Sequence, residues 1–239
     1  MTTQTAERPI NWAALIETFL LGGAGAMLLT KALRGVLVFY IHPRYTILIV
    51  VCGIVLLLIA GVRMRGIFGR SPESIRHHYG RYLLLSLPIL LGTVVPAQPL
   101  GANVLSSTTL GMNIAPRADL LDDNNTHEWN LLQWNMALSV RGDELDGRSA
   151  DVMGFVLQDD QLESGEFFVA RHVISCCTAD SNGVGLPVVW SDDTPLPDNT
   201  WIHVQGQLGE TTLNGEVRPA ILATSVNVVE QPKNPYIYP

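Results

Sequence analysis

The chain has 239 residues, of which 47% are hydrophobic and only 15% charged, with a mean hydropathy of +0.23. A soluble domain carries about a quarter charged residues, so this composition excludes an ordinary water-soluble protein. A net charge of -7 excludes broad nucleic-acid binding by attraction to phosphate, and three cysteines are too few for a disulfide scaffold.

The charge is split. Residues 1–81 hold 9 Lys/Arg and 3 Asp/Glu, a balance of +6, and residues 82–239 hold 6 basic and 19 acidic residues, a balance of -13. The basic half is also the apolar half, the pattern of a membrane anchor followed by an acidic head.

The first apolar run starts near Trp12 and continues past Lys31 and Arg34 to Ile41. It exceeds the roughly 20 residues a spanning helix needs. Lys31 and Arg34 are each costly in lipid, by about 2.5 to 3.5 kcal/mol at the bilayer centre. They either snorkel to an interface or face a partner protein or an aqueous path. Gly22, Gly23 and Gly25, with Ala24 and Ala26, make a small-residue surface suited to close helix packing, so Gly22, Gly25, Lys31 and Arg34 are the candidate partner contacts in the membrane. The run is too long for a signal peptide, and no small-residue cleavage site follows it cleanly.

His42-Pro43-Arg44-Tyr45 reads as a turn, and Thr46 to Val62 as a second span. The next segment carries Arg63, Arg65, Arg70, Arg76 and Arg81 against Glu73, with His77-His78 in the same loop. That arginine excess places the loop in the cytoplasm. A third apolar run, Tyr82 to Val95, contains Pro88 and is short for a span. Two to three spans are therefore expected within residues 1–99. With three crossings the amino terminus is cytoplasmic and everything after about Leu100 is extracytoplasmic, in a multi-pass protein of the plasma membrane.

Leu100 to Asn125 has the composition of a linker. Thr126 is a suitable N-cap for an amphipathic helix over His127 to Ser139, with Trp129, Leu132, Met136 and Val140 at helical spacing. The rest reads as strands: Asp151 to Leu157, Glu166 to Cys176, Val184 to Trp190, Thr200 to Leu208 and Arg218 to Val229. In the fourth, Ile202, Val204 and Leu208 alternate with Trp201, His203, Gln205 and Gln207, as in a half-buried strand. A small mostly-β domain over residues 126–239 follows, a five-stranded partly closed barrel of the oligonucleotide/oligosaccharide-binding (OB-like) kind, with a sandwich as the alternative.

The distinctive segment is Phe167 to Asp180, where Cys176 and Cys177 stand side by side ahead of Asp180. Three readings are open. Cys176, Cys177, Asp180 and His172 could ligate a soft metal ion if the chain bends there. The two thiols could form a strained, labile redox pair. Or one thiol packs inward and the other faces water. Arg171 could lower a thiol pKa or pair with Asp180, and His203 and His127 could join a metal site across strands. Asp159, Asp160, Glu163 and Glu166 fit a solvated hairpin loop, without calcium-loop spacing. No phosphate loop, nucleophile-elbow serine or zinc-protease helix motif occurs, so no catalytic residue and no cofactor is expected.

Tyr40 to Arg44, Gly154-Phe155-Val156, the stretch Phe168 to Asp180, Thr200 to Gly206 and the tail Pro232 to Pro239 together resemble the YcgQ family of bacterial membrane proteins. The most specific part is Arg-x-Val-Ile-x-Cys-Cys-x-Ala-Asp, here Arg171 to Asp180. The resemblance covers nearly the whole chain. It implies an accessory, non-pore subunit beside a polytopic permease of the YcgR type, in a two-component transporter. His172 departs from the aromatic residue usual at its position. No functional residues are established for the family, so none carries over.

Overall fold

The computed structural model describes residues 11–65, 67, 79–106, 110–111, 125–159, 162, 165–191, 196–213 and 215–239. Arg70, Glu73, Arg76, His77, His78, Asp160 and Glu163 lie outside the described residues, as does most of the expected linker. The chain divides into two compact units, Met1–Gln98 and Pro99–Pro239.

In the first unit, helix α1 spans Trp12–Leu33. Asn11 caps it, its side-chain oxygen accepting from the Ala14 N–H at 3.1 Å. Lys31 lies in the last turn, and Gly35 follows at φ +69°, a left-handed position that ends a helix cheaply only in glycine. His42 Nδ1 then accepts from the Arg44 N–H at 3.0 Å, and Pro43 opens a short turn into α2, Thr46–Met64. Helix α3 spans Tyr79–Val94 with Pro88 inside it. α1 and α2 are long and apolar enough to cross a membrane, whereas α3 is shorter. Ile47, Leu58, Val62, Leu83, Leu84 and Val94 are exposed in this unit, a surface suited to lipid rather than water.

α1 and α2 meet through glycines. A Cβ placed on Gly25 would sit 2.8 Å from the Gly53 carbonyl oxygen, and one on Gly53 would sit 2.9 Å from Leu29 Cγ. A side chain at Gly25 would push against backbone, and one at Gly53 would displace the Leu29 side chain.

The second unit holds helix α4, Leu131–Arg141, and five strands: β1 Ser149–Leu157, β2 Glu166–Val173, β3 Asn182–Val189, β4 Trp201–Leu213 and β5 Glu216–Val228. Hydrogen bonding runs β1-β2-β3-β5-β4 and returns to β1, so the strands form a closed ring. All neighbours are antiparallel except β3 and β5, which pair in parallel at Val188 and Ile221. Val152, Val169, Val184, Val188, Ile202, Val204 and Ile221 are buried in one core with Leu131, Leu132, Trp134 and Met136 of α4. Period-two burial explains why these β-branched residues recur at alternate positions.

A second buried layer lies on other positions of β1, β2 and β4. Phe155, Leu157, Phe168, Ala170 and Trp201 are covered by Ala102, with Leu105 and Leu110 packed against them. Gly183 leaves the room: a Cβ there would meet Leu105 Cδ2 at 2.6 Å.

Some local expectations change. α4 starts at Leu131 rather than His127, because Asn130 accepts from the Leu132 and Gln133 N–H groups while Gln133 Oε1 accepts from the Asn130 N–H, a reciprocal cap. Thr126 instead donates its hydroxyl to the Ser149 carbonyl oxygen at 3.0 Å. Val140 is 59% exposed, outside the stripe formed by Trp129, Leu132 and Met136. β4 extends five residues past Leu208, and Trp201, expected to face outward, is buried in the second layer.

Candidate functional site

β2 ends at Val173, and the chain bends directly after it. The Asp180 carboxylate accepts from the Ser175 N–H at 3.1 Å and the Cys176 N–H at 2.7 Å, and the Asp180 N–H returns to the Cys177 carbonyl oxygen at 3.1 Å. This closed turn presents Cys176 exposed and Cys177 half-buried, with sulfurs 3.7 Å apart and both thiols free. A disulfide needs about 2.05 Å.

Hydrogen bonding to the Asp180 carboxylate and to Cys177 pushes the Cys176 thiol up to about 11. Burial raises Asp180, but its hydrogen bonds from Cys176 and the backbone outweigh this and hold it below the usual carboxylate value. Cys176 is therefore a protonated thiol at neutral pH. It can serve as a soft ligand only by giving up its proton to an incoming metal.

His172 does not join this group. Its ring is 1% exposed, with Nε2 3.2 Å from the Gly101 carbonyl oxygen and Nδ1 2.8 Å from the Ser181 hydroxyl. Phe155 and Tyr236 pack on it, with centroids at 5.6 and 6.2 Å. Arg171 likewise turns from Asp180 to the tail, donating to the carbonyl oxygens of Pro235 and Asn234 at 3.0 and 2.7 Å, with its guanidinium over the Trp201 ring. The tail closes the arrangement: Ile237 N–H donates to the His172 carbonyl oxygen, Ile174 N–H to the Ile237 carbonyl oxygen, and the Tyr236 hydroxyl accepts from the Leu100 N–H.

His203 and His127 meet on Asp151 in a hydrogen-bonded group rather than in a metal site. His203 Nε2 contacts one carboxylate oxygen, and His127 Nε2 lies 3.2 Å from the other, where Gln205 Nε2 also donates at 2.7 Å. Among the described residues no three His, Cys, Asp or Glu side chains form a set able to hold a metal ion.

In the first unit, Gly25 faces Gly53 and Gly22 faces Ala60, so these two glycines lie in the α1–α2 contact. Lys31 and Arg34 instead line a cleft of about 440 Å³ with Gly23, Thr30, Gly92 and Thr93. Lys31 Nζ lies 5.5 Å from the Tyr40 ring centroid, and Arg34 has no acidic partner among the described residues.

Residues 122–239 match the DUF1980 C-terminal domain. A Bacillus subtilis protein, UPF0703 protein YcgQ, is 30% identical over 94 residues, 38% of this chain and 33% of its own length. The chain thus spans about a third of that relative. A Streptococcus mutans protein, named as a candidate two-component membrane permease complex subunit, is 22% identical over 94% of this chain and 99% of its own length. The chain is thus similar to YcgQ over part of its length and to the Streptococcus mutans subunit over nearly all of it.

No solved structure matches. Sequence reading missed four of the chain's polar anchors. Ser181 and Gly101 are unremarkable until the fold brings them to His172, and Asp151 is one acid among many until β1 pairs with β4. The fourth is Glu17, whose carboxylate accepts from Arg63 at 2.9 Å and from the Tyr82 hydroxyl at 3.4 Å. A carboxylate inside an apolar run is the signal that marks it.

Proposed function

We propose that this chain is a member of the YcgQ family and the accessory subunit of a two-component permease. α1, α2 and α3 cross the membrane, with the amino terminus in the cytoplasm and the strand-built head outside. The observation that carries this reading is the near end-to-end similarity to the Streptococcus mutans permease subunit. The exposed apolar helices and the Arg63, Arg65, Arg70, Arg76, Arg81 loop support the membrane placement and its orientation. The strand order β1-β2-β3-β5-β4, with β3 parallel to β5, supports an OB-like head.

The head caps a polytopic permease of the YcgR type or binds its cargo beside Cys176, Cys177 and Asp180. Lys31 and Arg34 supply the membrane contact, since Gly22 and Gly25 lie against α2. A stand-alone thiol-redox protein is disfavoured: Asp180 keeps the Cys176 thiol protonated, and a protonated thiol attacks slowly.

The test is purification of the tagged full chain from its own membranes in mild detergent. A polytopic permease should accompany the wild type and be depleted for Lys31→Ala/Arg34→Ala. Orientation is read with an impermeant thiol reagent in intact cells, using Glu216→Cys in a background where Cys52, Cys176 and Cys177 are serine. Purification without any polytopic protein, or a shielded Glu216→Cys, overturns the corresponding half of the reading.

A further inference from the structure

A second cleft of about 440 Å³ lies between α1 and α3, at the opposite end of the helices from Lys31 and Arg34. Leu20, Ala24 and Leu28 line it from α1, and Leu85, Pro88 and Ile89 from α3. Its mouth carries Glu17, Arg63, Arg81 and Tyr82. Glu17 is already committed, since one oxygen accepts from Arg63 at 2.9 Å and the other from the Tyr82 hydroxyl at 3.4 Å. Arg81 has no acidic partner among the described residues. Among the described residues, two guanidinium groups against one carboxylate leave the mouth one positive charge in excess.

We propose that this cleft holds one anionic phospholipid, with its phosphate on Arg81 and an acyl chain along the apolar wall. Charge decides the headgroup, because an uncompensated arginine at a membrane interface favours an anion and basic pockets between spanning helices take lipid phosphates. Length decides against a partner helix. From Glu17 to Leu28 the wall rises about 16 Å at 1.5 Å per residue, half of the roughly 30 Å hydrocarbon layer. One leaflet's depth matches one acyl chain, whereas a partner helix would run along the full span. This inference rests on the membrane placement proposed above and not on the permease partner.

The experiment is native mass spectrometry of the purified full chain, with phosphatidylglycerol or phosphatidylcholine added to the micelles. One phosphatidylglycerol should remain bound, retained about fivefold over phosphatidylcholine, the ratio equivalent to one interfacial arginine contact. Arg81→Gln should abolish the preference and Arg81→Lys should keep it. Ala24→Phe, which fills the cleft, should lower retention of both lipids. Inorganic phosphate alone should give no adduct. Equal retention of the two lipids by the wild type, an undiminished preference in Arg81→Gln, unchanged retention in Ala24→Phe, or phosphate binding without lipid would overturn the assignment.

Discussion

His172 Nε2 donates to the Gly101 carbonyl oxygen, 3.2 Å away, and so ties the start of the second unit to the end of β2. The carbonyl can only accept, so Nε2 carries the proton and Nδ1 accepts from the Ser181 hydroxyl. The ring is neutral in this arrangement. Burial pushes its pKa below the ordinary 6.5. The unfolded chain therefore binds a proton that the folded one refuses, and folding stability falls as pH drops below about 6.5. His172→Phe leaves the Gly101 carbonyl and the Ser181 hydroxyl unmet, at a cost of about 1–3 kcal/mol, and should flatten this pH dependence. Tryptophan-fluorescence denaturation of both chains between pH 7.5 and pH 5.5 (roughly one unit either side of the unperturbed His pKa) checks it. A parallel loss in the two would refute the assignment.

Asp151 titrates in the opposite sense. Burial raises it, but hydrogen bonds from Gln205 and His203, with the charges of His203 and His127, more than offset this and hold its carboxyl below the usual 3.8. Its stabilisation is complete above that value and is lost only as pH falls through the depressed folded pKa. Asp151→Asn should cost about 1–3 kcal/mol at pH 7, since the contacts it weakens are charge-assisted. Denaturation curves of the two chains at that pH check the loss, and an unchanged midpoint would sink the assignment.

The Cys176–Asp180 pair sets a reactivity. With the thiol held up to about 11 by the Asp180 carboxylate and Cys177, Cys176 should alkylate slowly at pH 8. Asp180→Asn keeps a side-chain oxygen for the Ser175 and Cys176 N–H groups but removes the charge. Returning the thiol toward its ordinary value near 9.0 raises its thiolate fraction by up to about 100-fold. Iodoacetamide rates at Cys176, followed by peptide mass spectrometry, should rise at least several-fold. No acceleration would mean the carboxylate does not govern this thiol.

Local chemistry explains what was legible. The five strands stand out because Val, Ile and Phe recur with a two-residue period between Gly, Pro and Asn. The first two helices stand out by apolar length. The α4 boundary was ambiguous because Thr126 and Asn130 are both competent caps; only the Gln133 reciprocal bond favours Asn130. The Cys176-Cys177 turn was visible as a motif, yet the separation of His172 from it was not. That separation depends on Gly101, 71 residues away, and on the tail at Tyr236. Glu17 needs Arg63, 46 residues on, to become an anchor rather than a cost. Long-range polar partners carry no period, so composition and spacing are silent about them.

The α1–α2 glycines give a last contrast in which two opposing effects have comparable size. Replacing a helical glycine by alanine gains about 0.8–1 kcal/mol of helix propensity. At Gly22 the new Cβ meets Ala60 Cβ at 3.8 Å, an ordinary contact, so Gly22→Ala should be neutral or stabilising. At Gly25 it would lie 2.8 Å from the Gly53 carbonyl oxygen, and backbone cannot step aside as a side chain can. Overpacking of this kind costs about 1–3 kcal/mol, which outweighs the propensity gain. Gly25→Ala should therefore weaken the first unit, and a larger residue should weaken it further. Resistance of the purified chain to sodium dodecyl sulfate, read by circular dichroism, should fall in the order Gly22→Ala, wild type, Gly25→Ala, Gly25→Leu. A Gly25→Ala chain as resistant as Gly22→Ala would show that α1 and α2 are not held at this distance.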